Sequence, residues 1–233
     1  MYYDYYILGI ILLPGIILGI YAQIKVSTTF QKYSTAYAES GKTAAEIARM
    51  FLDFAGLQDI NIIKVRGELT DYYNHRKKIL ALSESVYDSS SIAALGVACH
   101  EVGHALQYKT KYAPIKIRNV IIPICNIASN TLWIFVILGA IFFYSPVGII
   151  FWWIGIGIFG LSVLVNLITL PVEYNASNRA LQLLEQSSIL TQEETKYAKE
   201  VLYAAGLTYV ASLVISILNL LRFVLAVNRN NRK

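Results

Sequence analysis

Residues 100 to 104 read His-Glu-Val-Gly-His. On a helix, positions i and i+4 share one face about 5–6 Å apart, so His100 and His104 can offer two neutral imidazoles to one side of a metal ion. Glu101 points beside that ion, where a carboxylate can take a proton from metal-activated water. That is the chemistry of a zinc hydrolase. The chain has only three histidines, and two of them fall in this pattern. Gly103 costs about 1 kcal/mol relative to alanine in a helix interior. A cost at that spot predicts that something packs closely there, either another backbone or a substrate.

A catalytic zinc needs a third protein ligand from elsewhere in the chain. The metzincin pattern requires glycine at 107 and histidine at 110. Gln107 and Thr110 stand there instead. A late aspartate ligand, as in the intramembrane site-2 type, finds no candidate after Asp88. A glutamate from a later helix is left. Glu193, Glu194 and Glu200 sit among lysines and polar residues and read as solvated helix charges. Glu185 reads neither way. Glu173 differs, because it follows an apolar run directly in Leu170-Pro171-Val172-Glu173-Tyr174-Asn175. A carboxylate at the end of a membrane span needs a partner or a function, unless it meets water at the interface. Asn175 and Arg179 follow on the same predicted helix, placed to orient ligands, to stabilise an oxyanion, or to form an ordinary cap or salt bridge. The remaining histidine, His75, lies in a polar turn and reads as exposed.

These residues must be held by elements of unusual composition. Of 233 residues, 56% are apolar and 15% charged, with a mean hydropathy of +0.50. Soluble domains carry about 45–50% apolar and about 25% charged residues, so the solvent for part of this chain is lipid. The formal charge of +5 and the lack of a basic stripe interleaved with aromatics exclude nucleic acid as a partner. The 17 tyrosines gather near the ends of apolar runs, as suits membrane interfaces. Cys99 and Cys125 form no disulfide framework and read as small core residues.

Four apolar stretches stand out: Tyr5–Ala22, Val120–Phe143, Val147–Leu170 and Leu207–Val227. The first lacks a basic leader and a cleavage site, so it reads as a retained anchor. The second and third are each long enough to cross about 30 Å of hydrocarbon. Tyr144, Ser145 and Pro146 join them as a tight hairpin. The fourth is interrupted by Asn219 and Arg222, and either spans with Arg222 snorkelling or lies partly in the interface. The expected organisation is an anchor at 1–22, a membrane-tethered segment at 23–119, a transmembrane hairpin at 120–170, a helical segment carrying Glu173 at 171–206, and a membrane segment with a basic tail at 207–233.

Within 23–119, periodic apolar residues predict an amphipathic helix over Thr43–Ala55, ended by Gly56. Ile60–Val65 and Lys78–Leu82 read as strands of a small β-hairpin, and Asp71–Arg76 as a turn. Asp88, Ser89 and Ser90 offer N-caps to a helix from about Ser91 to Tyr108. Glu173–Tyr203 reads as helical and polar. The strand Lys78–Leu82 is expected to accept an extended peptide along its edge.

On these residues the chain resembles the YugP-type neutral zinc metallopeptidases of bacterial membranes over nearly its whole length. The resemblance is carried by Ser40-Gly41-Lys42-Thr43, Leu69-Thr70-Asp71, Leu82-Ser83-Glu84, the run Gly96 to Gln107 around the histidine pair, and Leu170-Pro171-Val172-Glu173-Tyr174-Asn175-Ala176-Ser177. It implies zinc on His100, His104 and Glu173, with Glu101 catalytic. More distantly the chain is similar to the HtpX-like membrane proteases, whose third-ligand block reads E-x-x-A-D. The last position here is the uncharged Ser177. The expected fold is a mainly α-helical integral membrane protein with a zincin-like HExxH helix and a small β-hairpin. The expected function is hydrolysis of membrane or membrane-adjacent polypeptides by a Zn2+ endopeptidase. The rival is a non-catalytic scaffold with a structural zinc, which would favour a fourth protein ligand. Lys25, Lys32, Lys109, Lys111, Lys116 and Arg118 flank the first two stretches, whereas the N-terminal tail offers Asp4 alone. The positive-inside rule then puts 23–119 in the cytoplasm at the cell membrane, although a spanning fourth stretch would place Arg229, Arg232 and Lys233 outside.

Overall fold

The computed structural model describes residues 9–142 and 145–230. Its helices are α1 (Leu13–Ser34), α2 (Ala44–Phe54), α3 (Ile92–Lys109), α4 (Ala113–Ile141), α5 (Pro146–Ser187) and α6 (Gln192–Asn230). Between α2 and α3 lie β1 (Asn61–Val65), β2 (Tyr72–Asn74) and β3 (Ile79–Ser83). The chain is a mainly helical membrane protein with a small three-stranded sheet. The described residues form two compact units, one of residues up to 21, 113–171 and from 208 onward, the other of 22–112 and 172–207.

In the apolar unit, three helices are long and apolar enough to cross a membrane: Ala113–Ile141, Pro146–Ser187 and Gln192–Asn228. The first expected stretch begins outside the described residues, and its described part, α1, is not among these three. Tyr144 of the expected linker also lies outside them, as do Asp4 and the last charges of the basic tail, Arg232 and Lys233. The contacts of α4 and α5 run in opposite directions. Phe135 faces Phe151 at a centroid distance of 6.2 Å, and further down Cys125 Sγ lies 3.7 Å from Ser162 Oγ. That is an antiparallel pair, as the short linker demands. The helix α6 packs on α5 through Phe223, 5.6 Å from Trp152 and 5.0 Å from Phe159. Asn219 does not break α6, because its amide donates to the Ile215 carbonyl at 3.0 Å.

The sheet-bearing unit starts from local signals that resolve as expected or nearly so. Thr43 caps α2 in a reciprocal box with Glu46, and Gly56 follows at φ +66°. The cap of α3 is Ser91, whose side chain accepts from the Ala94 amide at 3.3 Å. Asp88, Ser89 and Ser90 are not the cap, although Ser89 Oγ donates to Ser91 Oγ at 3.0 Å and fixes it. The predicted polar helix over 173–203 is two helices. Ser188 takes a positive φ of 51°, and Thr191 opens α6 by exchanging bonds with Glu194.

The sheet corrects two expectations. Strands β1 and β3 are parallel, Ile62 facing Leu80, so they do not form a hairpin. The segment read as a turn supplies β2, which pairs antiparallel with β3. The tight turn lies after it, where Lys77 N donates to Asn74 Oδ1 at 3.0 Å and Lys78 adopts φ +53°. The order is therefore β1-β3-β2, with β3 in the centre. Both edges of β3 are occupied, so it cannot take an added peptide strand. Its consecutive buried residues Leu80, Ala81, Leu82 and Ser83 follow from that central place, since a strand covered on both faces loses the alternating pattern.

Candidate metal centre

The helix α3 carries the site on a scaffold buried almost throughout. Leu95, Ala98, Cys99 and Val102 are fully buried, and fully burying a leucine or valine stabilises by about 1.5–3 kcal/mol. Across from them, α5 contributes Val172, Ala176, Ala180 and Leu184, all fully buried and spaced four apart on one helical stripe. Gly103 explains how closely the two helices approach. A Cβ there would lie 2.4 Å from the Ala176 carbonyl oxygen. The packing partner anticipated at Gly103 is thus a backbone.

That approach brings together His100, His104 and Glu173. The Nε2 atoms of His100 and His104 lie 3.2 and 3.3 Å from the same oxygen, Oε2 of Glu173. The imidazole rings are 4.8 Å apart and nearly perpendicular. The three donor atoms fall within 4.8 Å of one another. The donor set fits zinc, which accepts imidazole nitrogen and carboxylate oxygen at about 2.0–2.2 Å; tetrahedral bonds of that length separate neighbouring ligand atoms by about 3.3 Å. The histidine side chains keep 15% and 12% of their exposure and Glu173 keeps 3%, so the centre is sheltered yet reachable. Pro171 sits inside α5 without ending it, and Glu173 lies on the first turn after it.

Glu101 is buried at 8% exposure. Burial pushes its carboxyl above the usual range, partly offset by His104 and His100. For His104, burial pulls the imidazole down, but the hydrogen bond to Glu173 and the Glu101 charge outweigh it, so its affinity for a proton is raised.

Two further side chains touch the ligand set, and sequence reasoning gave neither a role. Ser177 Oγ lies 3.0 Å from His100 Nδ1, and Gln107 Oε1 lies 3.0 Å from His104 Nδ1. Their signal is the spacing: Ser177 stands four after Glu173 and Gln107 three after His104, each on its ligand's own face. Asn175 meets the site through Gln107, whose Nε2 donates to Asn175 Oδ1 at 3.1 Å. Arg179 Nε donates to Asn175 Oδ1 at 2.8 Å. His75 is exposed and stacks on Tyr108 at 4.0 Å. Of the other late glutamates, Glu185, Glu193 and Glu200 are exposed. Glu194 is not the solvated charge expected. It is buried at 7% exposure and accepts from the Glu39 and Thr191 amides.

Comparison with known proteins gives the same direction. A family model described as "Putative neutral zinc metallopeptidase" matches residues 8–228. The chain is 43% identical over 212 residues to "Putative membrane protease YugP" of Bacillus subtilis (strain 168), covering 89% of this chain and 91% of that protein. No solved structure matches. The chain belongs to the neutral zinc metallopeptidase family that the model describes.

Proposed function

We propose, from that membership, that the chain is a zinc-dependent endopeptidase of the membrane in which His100, His104 and Glu173 hold the metal and Glu101 is the base. The observation that carries the reading is one Glu173 oxygen 3.2 and 3.3 Å from the two Nε2 atoms. Zinc bound there would polarise the scissile carbonyl and lower the pKa of a bound water. Glu101 takes the water proton and passes it to the leaving amine. Its buried carboxyl, raised above the usual range, suits a base that must also release its proton as an acid.

The substrates are membrane or membrane-adjacent polypeptides. Three apolar helices long enough to span and the similarity to "Putative membrane protease YugP" support that choice. In this reading the protein is a multi-pass protein of the cell membrane with residues 23–119 in the cytoplasm, which the lysines and arginine flanking the first two apolar stretches support. Both native cysteines are buried, so a cysteine placed at Ser40 gives a clean label. It should resist a membrane-impermeant thiol reagent added to intact cells, and labelling from outside reverses the orientation.

The test of activity uses the purified protein in detergent with an unfolded membrane protein as substrate. Cleavage should require zinc and stop on chelation. Glu101→Gln should keep its zinc and slow by about 10²–10⁴-fold. Cleavage by Glu101→Gln at the wild-type rate rules out the mechanism.

A further inference from the structure

We infer that Gln107 is a positioning residue that sets the tautomer of His104 and so turns its Nε2 toward the metal. The inference rests on the metal site proposed above and adds a residue to it. Gln107 has no solvent exposure, so water cannot replace any of its bonds. Its Nε2 lies 2.7 Å from the Val172 carbonyl oxygen. A carbonyl only accepts, so the amide nitrogen must face Val172. A second anchor agrees. Gln107 Nε2 also lies 3.1 Å from Asn175 Oδ1, the atom that accepts from Arg179 Nε at 2.8 Å. A guanidinium only donates, which identifies the Asn175 atom as oxygen.

With both amide hydrogens committed to α5, Gln107 Oε1 is left facing His104 Nδ1 at 3.0 Å. That oxygen only accepts, so Nδ1 must carry the hydrogen and donate. In the neutral imidazole that binds a metal, the other nitrogen, Nε2, then presents the lone pair. It faces the Glu173 oxygen at 3.3 Å, so two electron-rich atoms converge and a cation belongs between them. Ser177 cannot do the same for His100, because a hydroxyl both donates and accepts. Gln107 further ties its amide to Val172, the residue before Glu173. One buried side chain thus orients one ligand and holds the backbone that carries another.

The experiment measures zinc affinity by chelator competition on the full chain in detergent, together with proton NMR of the cobalt-loaded protein. Gln107→Met keeps the length and removes every polar contact. It should weaken zinc binding by about 10–100-fold, the usual cost of losing the partner of a ligand histidine, with helix content retained. Asn175→Ala removes an anchor of the amide but leaves Val172 and His104, and should weaken binding less. In wild type, the hyperfine-shifted Nδ1 proton of His104 should exchange slowly with water, and in Gln107→Met it should exchange fast. Wild-type affinity in Gln107→Met, or a fast-exchanging His104 proton in wild type, overturns the inference. The second result needs no variant to fold. A wild-type chain that binds no zinc overturns the metal site and this inference together.

Discussion

In the sheet-bearing unit Leu80, Leu82, Leu95 and Val102 are fully buried, whereas in the apolar unit Trp133, Ile134, Ile141 and Trp153 stand 56–70% exposed. The two units solve different problems. A core that faces water must hide its apolar side chains, so each is held by neighbours. Helices that face lipid gain nothing from hiding them, and their large side chains turn outward. Polar groups divide the units in the opposite sense. The sheet-bearing unit buries Glu101, Gln107, Glu173 and Ser177 in one connected cluster. In the apolar unit, described residues such as Asn166 and Asn219 turn their amides back on the carbonyl one helical turn earlier. Close packing and functional polarity thus coincide in one unit, and damage should follow that division.

The largest effect is expected at Gly103. Gly103→Ala drives a methyl group into the Ala176 backbone, which cannot yield as a flexible side chain would, and overpacking of this kind costs about 3 kcal/mol or more. Denaturant unfolding in detergent should register that loss, and zinc affinity should fall with it because the two ligand helices are forced apart. Unchanged stability would mean that the helices do not approach as described.

Next in size is a matched pair. Leu95→Ala empties a fully buried site and should cost about 2–5 kcal/mol. Ile134→Ala removes a side chain 56% exposed and should stay within about 0.5 kcal/mol. Equal losses would erase the contrast between the units. Thr43→Ala lies between them. It removes the capping box of α2, and a lost N-cap costs about 1 kcal/mol; thermal melts of the sheet-bearing unit read it out.

The same division governs what the sequence revealed. The histidine pair and Glu101 were legible because helical spacing alone puts them in place. Glu173 was legible as an anomaly, a carboxylate at the end of an apolar run. Two of the three helices long enough to span, α4 and α5, followed from length and hydropathy. Leu207–Val227 in α6 was open because of Asn219 and Arg222, and the described part of the expected anchor is not among the three. Helix ends did not follow either, since α5 runs through Pro171 and α6 begins well before its apolar part. The parallel pairing of β1 with β3 was not legible. Strands of this length carry no mark of direction, and the short β2 hid within a polar segment. Gln107 carries no signal like that of Glu173, since in the sequence it only replaces the glycine of the metzincin pattern. A buried amide announces its role only when the carbonyl it faces is known.

The central claim is that Glu173 completes a zinc centre with His100 and His104. Elemental analysis of the purified chain should find one zinc in the wild type, a sharp loss in Glu173→Ala, and no loss in Glu185→Ala or Glu193→Ala. A Glu173→Ala protein that keeps its full zinc, or one in which Glu185→Ala or Glu193→Ala empties the site instead, would contradict it.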